Sequence, residues 1–101
     1  MKNDKELKTF TSAARMLKAV AHPVRIAIID HLSREKRLSV NELKKKLKIT
    51  QSMTSQHLAQ LRQAGVLGVT KEGNLCYYYI ADKNILKLLQ CIERCNGEEH
   101  L

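Results

Sequence analysis

The amino-acid sequence predicts a mainly α-helical fold with one β-hairpin, in the order helix, helix, helix, helix, hairpin, helix. Apolar residues recur at steps of three and four from Phe10 to Leu61, which is the periodicity of buried helix faces. Between Val66 and Ile80 the residues become β-branched and aromatic on both sides of a glycine-containing turn, which indicates a hairpin. Helical periodicity returns from Asp82 onward.

Two helices are predicted before the first polar connection. The first covers about residues 5–21 and has to end near His22, because a proline disfavours the helical conformation in the residue before it. Pro23 itself suits the first position of a new helix, which we expect to run to about Ser33. The apolar positions are Phe10, Ala13, Ala14, Leu17, Val20 and Ala21 in the first helix, and Ile26, Ile28, Ile29 and Leu32 in the second.

Two further helices are predicted over about residues 39–64. Ser39 followed by Glu42 is a capping box, in which each side chain bonds the backbone amide of the other residue. Thr50 can cap the fourth helix, and Gly65 suits the left-handed conformation that ends it. The third helix is expected to bury Val40, Leu43 and Leu47.

The last two elements are a hairpin over about residues 66–80 and a helix over about residues 82–96. Residues 72–74 are expected to form the hairpin turn, Asp82 to cap the last helix, and Gly97 to end it. The apolar face of this helix consists of Ile85, Leu88, Leu89, Ile92 and Cys95. Two helices joined by a tight turn and followed by a hairpin form a winged helix-turn-helix, and 101 residues suit one such domain over residues 1–101.

The composition favours a polyanionic partner. Lysine and arginine number 18 against 10 aspartates and glutamates, which gives a formal net charge of +8. No apolar stretch reaches the roughly 18 residues of a membrane span, and we expect no secretion signal at the N-terminus. Three cysteines are an odd number, so reduced thiols fit better than disulfides. We therefore expect a cytoplasmic protein without membrane contact.

The fourth helix is predicted to enter the major groove of double-stranded DNA, as the second helix of a helix-turn-helix does. Its inward side is expected to carry Thr54, His57, Leu58 and Leu61. Its outward side carries Ser52, Ser55, Gln56, Ala59 and Gln63, with Gln51 and Arg62 at the edge, and no acid that would repel phosphate. Glutamine pairs with adenine, serine serves a base or a phosphate, and alanine can touch a thymine methyl. An ordinary solvated helix face is the alternative interpretation.

Basic residues around this helix are predicted to contact the flanking phosphates. They are Lys44, Lys45, Lys46, Lys48, Arg62 and Lys71, of which we expect only some to matter for binding. The hairpin tip from Lys71 to Asn74 would be the wing that lies beside the recognition helix. Glu72 places an unfavourable charge at this tip.

Two stretches of the sequence resemble the ArsR/SmtB family of bacterial repressors. Residues 21–29 (AHPVRIAII) match the start of that family's second helix, and residues 49–67 (ITQSMTSQHLAQLRQAGVL) match its recognition-helix signature. The wing follows with Gly73, Tyr78 and Ile80, so the resemblance covers roughly residues 10–95. It implies a homodimer built on the first and last helices that represses at an imperfect palindrome and releases it when an inducer is sensed. The apolar faces of both terminal helices agree, since the rest of the chain has too few elements to cover them.

The resemblance also directs attention to possible sensing residues. Family members that sense arsenic, cadmium or lead carry cysteines at the start of the third helix, where this sequence has residues 38–43 (LSVNEL). Zinc-sensing members use acids and histidines of the last helix, and the matching positions here are Asp82, Asn84, Cys95 and Glu98, an incomplete set.

The cysteines of the last helix are the remaining candidates for sensing. Cys91 and Cys95 lie one helical turn apart and could sense a thiol-reactive or metal inducer, although packing at a helix interface is the simpler interpretation. Cys76 alternates with Tyr78 and Ile80 and is predicted to pack on the core. His57 is expected to be a hydrogen-bonded structural residue, and His22 to lie at a helix start.

The main alternative function is a winged helix used for protein or RNA binding, with DNA recognition lost. An enzyme is not expected, because the sequence has no phosphate-binding glycine loop and no nucleophile beside an oriented base. We likewise expect no cofactor and no complete metal site.

Overall fold

The computed structural model describes the backbone of residues 2–99 and the side chains of residues 4–95. Five helices and three strands follow one another in this range: α1 (Lys2–Val20), α2 (Pro23–Arg34), β1 (Leu38–Ser39), α3 (Val40–Leu47), α4 (Gln51–Gln63), β2 (Leu67–Glu72), β3 (Leu75–Ile80) and α5 (Asn84–Glu99). The predicted order is confirmed, with the two-residue strand β1 as an addition. The chain is a winged helix-turn-helix, in which α3 and α4 form the helix-turn-helix and β2 and β3 form the wing. None of the helices in the described range is long and apolar enough to cross a membrane.

The helix-turn-helix is bounded by the two predicted caps. Ser39 Oγ accepts a hydrogen bond from the Glu42 amide at 3.2 Å, and Glu42 Oε1 accepts one from the Ser39 amide at 3.0 Å. Thr50 Oγ1 accepts from the Met53 amide at 3.1 Å at the start of α4. Between the helices, Lys48 adopts the left-handed conformation with φ 57°, which the sequence analysis did not predict. A non-glycine residue in this region is strained, and it makes the turn between α3 and α4 short.

The other helix ends follow the prediction with one exception. His22 Nδ1 accepts from the Val24 amide at 3.1 Å where α2 begins, and Asp82 Oδ1 accepts from the Asn84 amide at 2.9 Å where α5 begins. The prediction that Gly97 ends the last helix is wrong, because α5 continues to Glu99. A glycine inside a helix costs only about 1 kcal/mol relative to alanine, so it does not stop a helix by itself.

The core lies between α2, α3, α4 and the wing. Its fully buried side chains are Ile28, Ile29, Leu43, Thr54, Leu58, Leu61 and Val66. α5 adds Ile85 and Leu89, whereas α1 contributes only Val20 among its buried residues. Three large apolar residues of α1 remain exposed: Leu7 (61%), Phe10 (63%) and Leu17 (50%). The first helix therefore has an apolar face that the described part of the chain leaves uncovered.

The three strands form an antiparallel sheet in the order β1, β3, β2. Glu72 pairs with Leu75, so the turn contains only Gly73 and Asn74 and is one residue shorter than predicted. Gly73 has φ 61°, which suits the first central position of a tight hairpin turn. At the base of the wing Gly68 pairs with Tyr79, whose ring occupies the space that a Cβ at Gly68 would need.

Candidate nucleic-acid interface

One side of α4 is anchored firmly in the core. Thr54, Leu58 and Leu61 each have 0% exposed surface. The buried Thr54 hydroxyl donates to the Thr50 carbonyl at 2.8 Å, so its polar atom has a partner. Rotation of α4 about its axis would expose these side chains, and the orientation of the helix is therefore fixed.

The opposite side of α4 is the face predicted to read DNA. Each of the predicted residues on this helix is exposed, namely Gln51, Ser52, Ser55, Gln56, Ala59, Arg62 and Gln63. The helix contains no acid. Met53, which the sequence pattern did not place on either face, is also exposed (44%). Its side chain could touch a thymine methyl group.

His57 connects α4 to the start of α2. Its Nδ1 accepts a hydrogen bond from Arg25 Nε at 3.1 Å, and its ring centroid lies 4.6 Å from that of His22. Burial lowers the pKa of His57 below its ordinary value, and the nearby His22 and Arg25 lower it further. The neutral ring is the form that can accept from Arg25. The predicted structural role of His57 is confirmed.

The basic residues predicted to contact phosphate are distributed over α3, the following turn, α4 and the wing, with Lys44 half-buried and Arg62 exposed. Lys45, Lys48, Lys71 and Asn74 are exposed. Lys46 is already paired, with its Nζ 3.1 Å from Glu35 Oε2. Such exposed ion pairs contribute only about 0–1 kcal/mol, so phosphate can compete with Glu35 for Lys46.

The acidic residue of the wing is neutralised by an arginine that the sequence analysis did not single out. Arg37 Nη1 donates to Glu72 Oε1 at 2.6 Å and Nη2 donates to Oε2 at 3.0 Å. The same guanidinium lies 4.3 Å from the centre of the Tyr77 ring. The hydrogen bonds from Arg37 lower the pKa of Glu72. Arg37 thus ties the wing to the segment before β1 and offsets the one charge that would repel DNA there.

All three cysteines, Cys76, Cys91 and Cys95, are accessible on the surface of the single chain. The prediction that Cys76 packs on the core is wrong: Tyr78 and Ile80 on the same side of β3 are half-buried, but Cys76 lies farther out toward the tip of the wing, beyond the reach of the core.

The possible zinc positions give no metal site within the described side chains. Among those side chains no three histidine, cysteine or acidic groups lie close enough together to hold a metal ion. The side chain of Glu98 lies outside them.

Comparisons with known proteins identify the family and several relatives of this chain. Residues 22–68, from the start of α2 to the first residues of the wing, match the model of the family described as bacterial regulatory protein, arsR family. The chain is similar to the biofilm growth-associated repressor of Agrobacterium fabrum, with 34% identity over 96 residues that span 93% of this chain and 81% of the relative.

Two other relatives have solved structures. The transcriptional repressor PagR of Bacillus anthracis is 36% identical over 87% of this chain and 91% of its own length, and its crystal structure superimposes with a TM-score of 0.79 over 85% and 98% of the two chains. The transcriptional activator HlyU of Vibrio cholerae is 33% identical over 86% of this chain and 80% of its own length. The reduced HlyU structure has a TM-score of 0.80 over 90% and 95% of the two chains.

Proposed function

We propose that this chain works as a homodimer that represses transcription from an inverted-repeat operator. The chain belongs to the ArsR family of bacterial regulatory proteins and is therefore a DNA-binding transcriptional regulator. The observation that carries the proposal is the outward face of α4, which is exposed, mostly polar and free of acids on a helix whose orientation is fixed by the core. Of the three relatives named above, two are called repressors and one an activator, so repression is part of the proposal. Acting on DNA in a bacterial cell would place the protein in the cytoplasm.

A dimer built on α1 and α5 would cover the apolar surface that one chain leaves exposed. Leu7, Phe10 and Leu17 of α1 and Ile92 of α5 are large, apolar and at least 38% exposed. Burying such side chains is worth about 1.5–3 kcal/mol each. A two-fold dimer presents its two recognition helices to two half-sites related by the same symmetry, and its operator is then an inverted repeat.

Within each half-site, different residues would supply specificity and affinity. Gln51, Ser52, Ser55, Gln56, Ala59 and Gln63 would lie at base edges, and Arg62, Lys46, Lys48, Lys71 and Asn74 at the backbone. Lysine and arginine contacts release counterions, so the observed affinity should fall with salt by about 0.9 log units per log unit for each phosphate neutralised.

Release of the operator is proposed to run through Cys91 and Cys95 when a thiol-reactive or metal inducer is present. Both thiols are exposed and stand one turn apart on α5, the helix proposed to form the dimer interface. Cys76 is also exposed, so exposure does not distinguish the two candidate thiols from it. They differ from Cys76 in their spacing, because Cys76 has no second thiol near it in the sequence. A change at the interface would alter the angle between the two recognition helices, and a coupling of about 1–3 kcal/mol would loosen DNA by roughly 5- to 150-fold.

Selection of bound duplexes from random DNA tests the central proposal. The wild type should enrich inverted repeats, and Gln56→Ala should lose preference at one base pair of each half-site. Enrichment of single half-sites or of no sequence would contradict it. For the inducer, Cys91→Ser with Cys95→Ser is compared with Cys76→Ser as the matched control, using the enriched duplex with zinc, arsenite, peroxide and polysulfide. An identical response of the wild type and the double variant would assign sensing elsewhere.

A further inference from the structure

A cleft of about 450 Å³ lies between α1, the start of α2 and the C-terminal half of α4. It is lined by Arg15, Lys18, Ala19, Arg25, Gln60, Gln63 and Ala64. Three of these residues are basic and none is acidic. The cleft thus combines a concentrated positive charge with amide side chains that can donate hydrogen bonds.

Arg25 is the one half-buried basic residue that lines this cleft. Its Nε donates to His57 Nδ1 at 3.1 Å and its Nη1 donates to the Ala19 carbonyl at 2.9 Å, so two hydrogen bonds hold the half-buried guanidinium in place. Arginine has five N–H donors, and these bonds use two of them. Both acceptors are uncharged, because the histidine accepts only when it is neutral.

The positive charge of Arg25 is not matched by a carboxylate. The ion pairs among the side chains of residues 4–95 are Arg34 with Asp30, Arg37 with Glu72 and Lys46 with Glu35, and none involves the cleft. A partly buried charge is ordinarily paired, because its removal from water is costly. The residues that line the cleft therefore do not themselves supply an anion to balance Arg25.

We propose that this cleft binds a small oxyanion, a phosphate or carboxylate group on a molecule of metabolite size. A fixed guanidinium presents its donors in the planar geometry that fits two oxygens of such a group. Arg15 and Lys18 from α1 would add charge, and the Gln60 amide from α4 would orient the ligand. The volume lies within the range of small-molecule sites.

A ligand in this cleft would join α1 to α4. In the function proposed above, α1 holds the dimer together and α4 reads DNA, so an effect of the anion on operator affinity rests on that proposal. The binding site itself does not, because it is formed within one chain. The two are therefore tested separately.

The binding test uses the full chain without DNA. The side-chain amides of Gln60 and Gln63 are followed by NMR while inorganic phosphate, adenosine monophosphate or citrate is added at an ionic strength held constant with potassium chloride. We expect saturable shifts, and the relative affinities of phosphate esters and citrate identify the preferred oxyanion. Arg15→Ala with Lys18→Ala should weaken binding by at least about tenfold, since hydrogen bonds to charged groups are among the stronger ones.

The matched control is Lys36→Ala with Lys83→Ala, which removes the same charge from two lysines that do not line the cleft. This control should bind the anion as the wild type does. Equal weakening in the two double variants, or shifts that never saturate, would show diffuse charge attraction and overturn the proposal. The double variant Arg15→Ala with Lys18→Ala could instead lose affinity for all DNA sequences while the wild type shows no saturable anion binding. That result would assign the cleft to contact with the DNA backbone and would also overturn the proposal.

Discussion

The apolar face of the first helix and the outward face of the recognition helix are both exposed, and the two faces differ in chemistry. Leu7, Phe10 and Leu17 make the exposed face of α1 apolar. The exposed face of α4 carries serines, glutamines and an alanine, with no acid. An apolar face is stable only when protein covers it, whereas a neutral polar face retains its hydrogen-bonding groups for base edges. Exposure alone does not identify a contact surface, but the residue types of an exposed face indicate which partner it suits.

The two helices also differ in how they are held. Three residues of α4 are fully buried, while α1 contributes one buried residue, Val20. The reading face consequently stands on a rigid support within one chain. In the proposed dimer a second copy would give the first helix comparable support and would also bring two recognition helices together.

The largest effect is expected from a charge on the apolar face of α1. Phe10→Glu should weaken dimerisation by about 3 kcal/mol or more, roughly 100-fold, because it removes an aromatic ring that the proposed interface buries and places a carboxylate there. Sedimentation equilibrium measures the change. Ser12→Glu is the matched control, since Ser12 is an exposed polar residue on the same helix and points away from Phe10. Equal dissociation of both variants would show that the apolar stripe is not the interface.

A smaller and sequence-dependent effect is expected on the face of α4. Gln56→Ala should cost about 1–3 kcal/mol on the selected duplex and little on random DNA, because it removes a hydrogen-bonding group from a base edge. Lys71→Ala should weaken binding to both duplexes alike and lower the salt slope by about 0.9 for each phosphate that the lysine no longer neutralises. Fluorescence anisotropy at several salt concentrations separates the two. If Gln56→Ala affects both duplexes equally, α4 does not read the sequence.

Local signals explain why the sequence predicted the helix boundaries so well. The cap of α3 involves Ser39 and Glu42, and that of α4 involves Thr50 and Met53, so each is visible within four residues. The pair of Arg37 and Glu72 spans 35 residues. This ion pair becomes apparent only once β1 is known to pair with β3. The sequence does not predict β1, because a strand of two residues shows no alternation.

The errors and omissions have physical reasons of the same kind. The alternation of β3 placed Cys76 on the correct side of the strand, but alternation does not tell how far the core extends beneath the wing. The outward face of α4 could be predicted because one helix carries it. The basic cleft could not, because its residues come from three helices whose relative positions no local pattern defines.

A still smaller and local effect is expected at the wing. Arg37→Gln should leave the overall unfolding midpoint nearly unchanged, since the pair with Glu72 is exposed, and should speed amide exchange in β2 and β3. In the wild type the ion pair should stabilise the wing at pH values above the ordinary pKa of a glutamate. This stabilisation should be lost as the pH falls through the lowered pKa of Glu72. Hydrogen exchange over this pH range measures both effects. Unchanged amide exchange in β2 and β3 of the variant would show that Arg37 does not stabilise the wing.

The smallest effect is expected on the inward side of α4, at His57. Because its pKa is lowered in the folded state, the unfolded chain binds more protons below the ordinary value of 6.5. Its contribution to stability is therefore complete above that pH and is lost as the pH falls toward the folded pKa. Urea unfolding at pH 7.5 and 5.5 should show a steeper loss in the wild type than in His57→Gln, which retains an acceptor for Arg25. The same pH dependence in both proteins would contradict this.

In the proposed dimer the face of α1 joins two chains, and the two copies of α4 read two half-sites. Two measurements on the selected duplex test the dimer and the reading of two half-sites together. The first is the mass of the protein–DNA complex, and the second is the affinity before and after one half-site is scrambled. We expect two chains per duplex and an affinity that falls at least about 100-fold on the scrambled duplex, because one recognition helix then meets only mismatched base pairs. One chain per duplex, with an affinity that scrambling does not change, would contradict the proposed dimer.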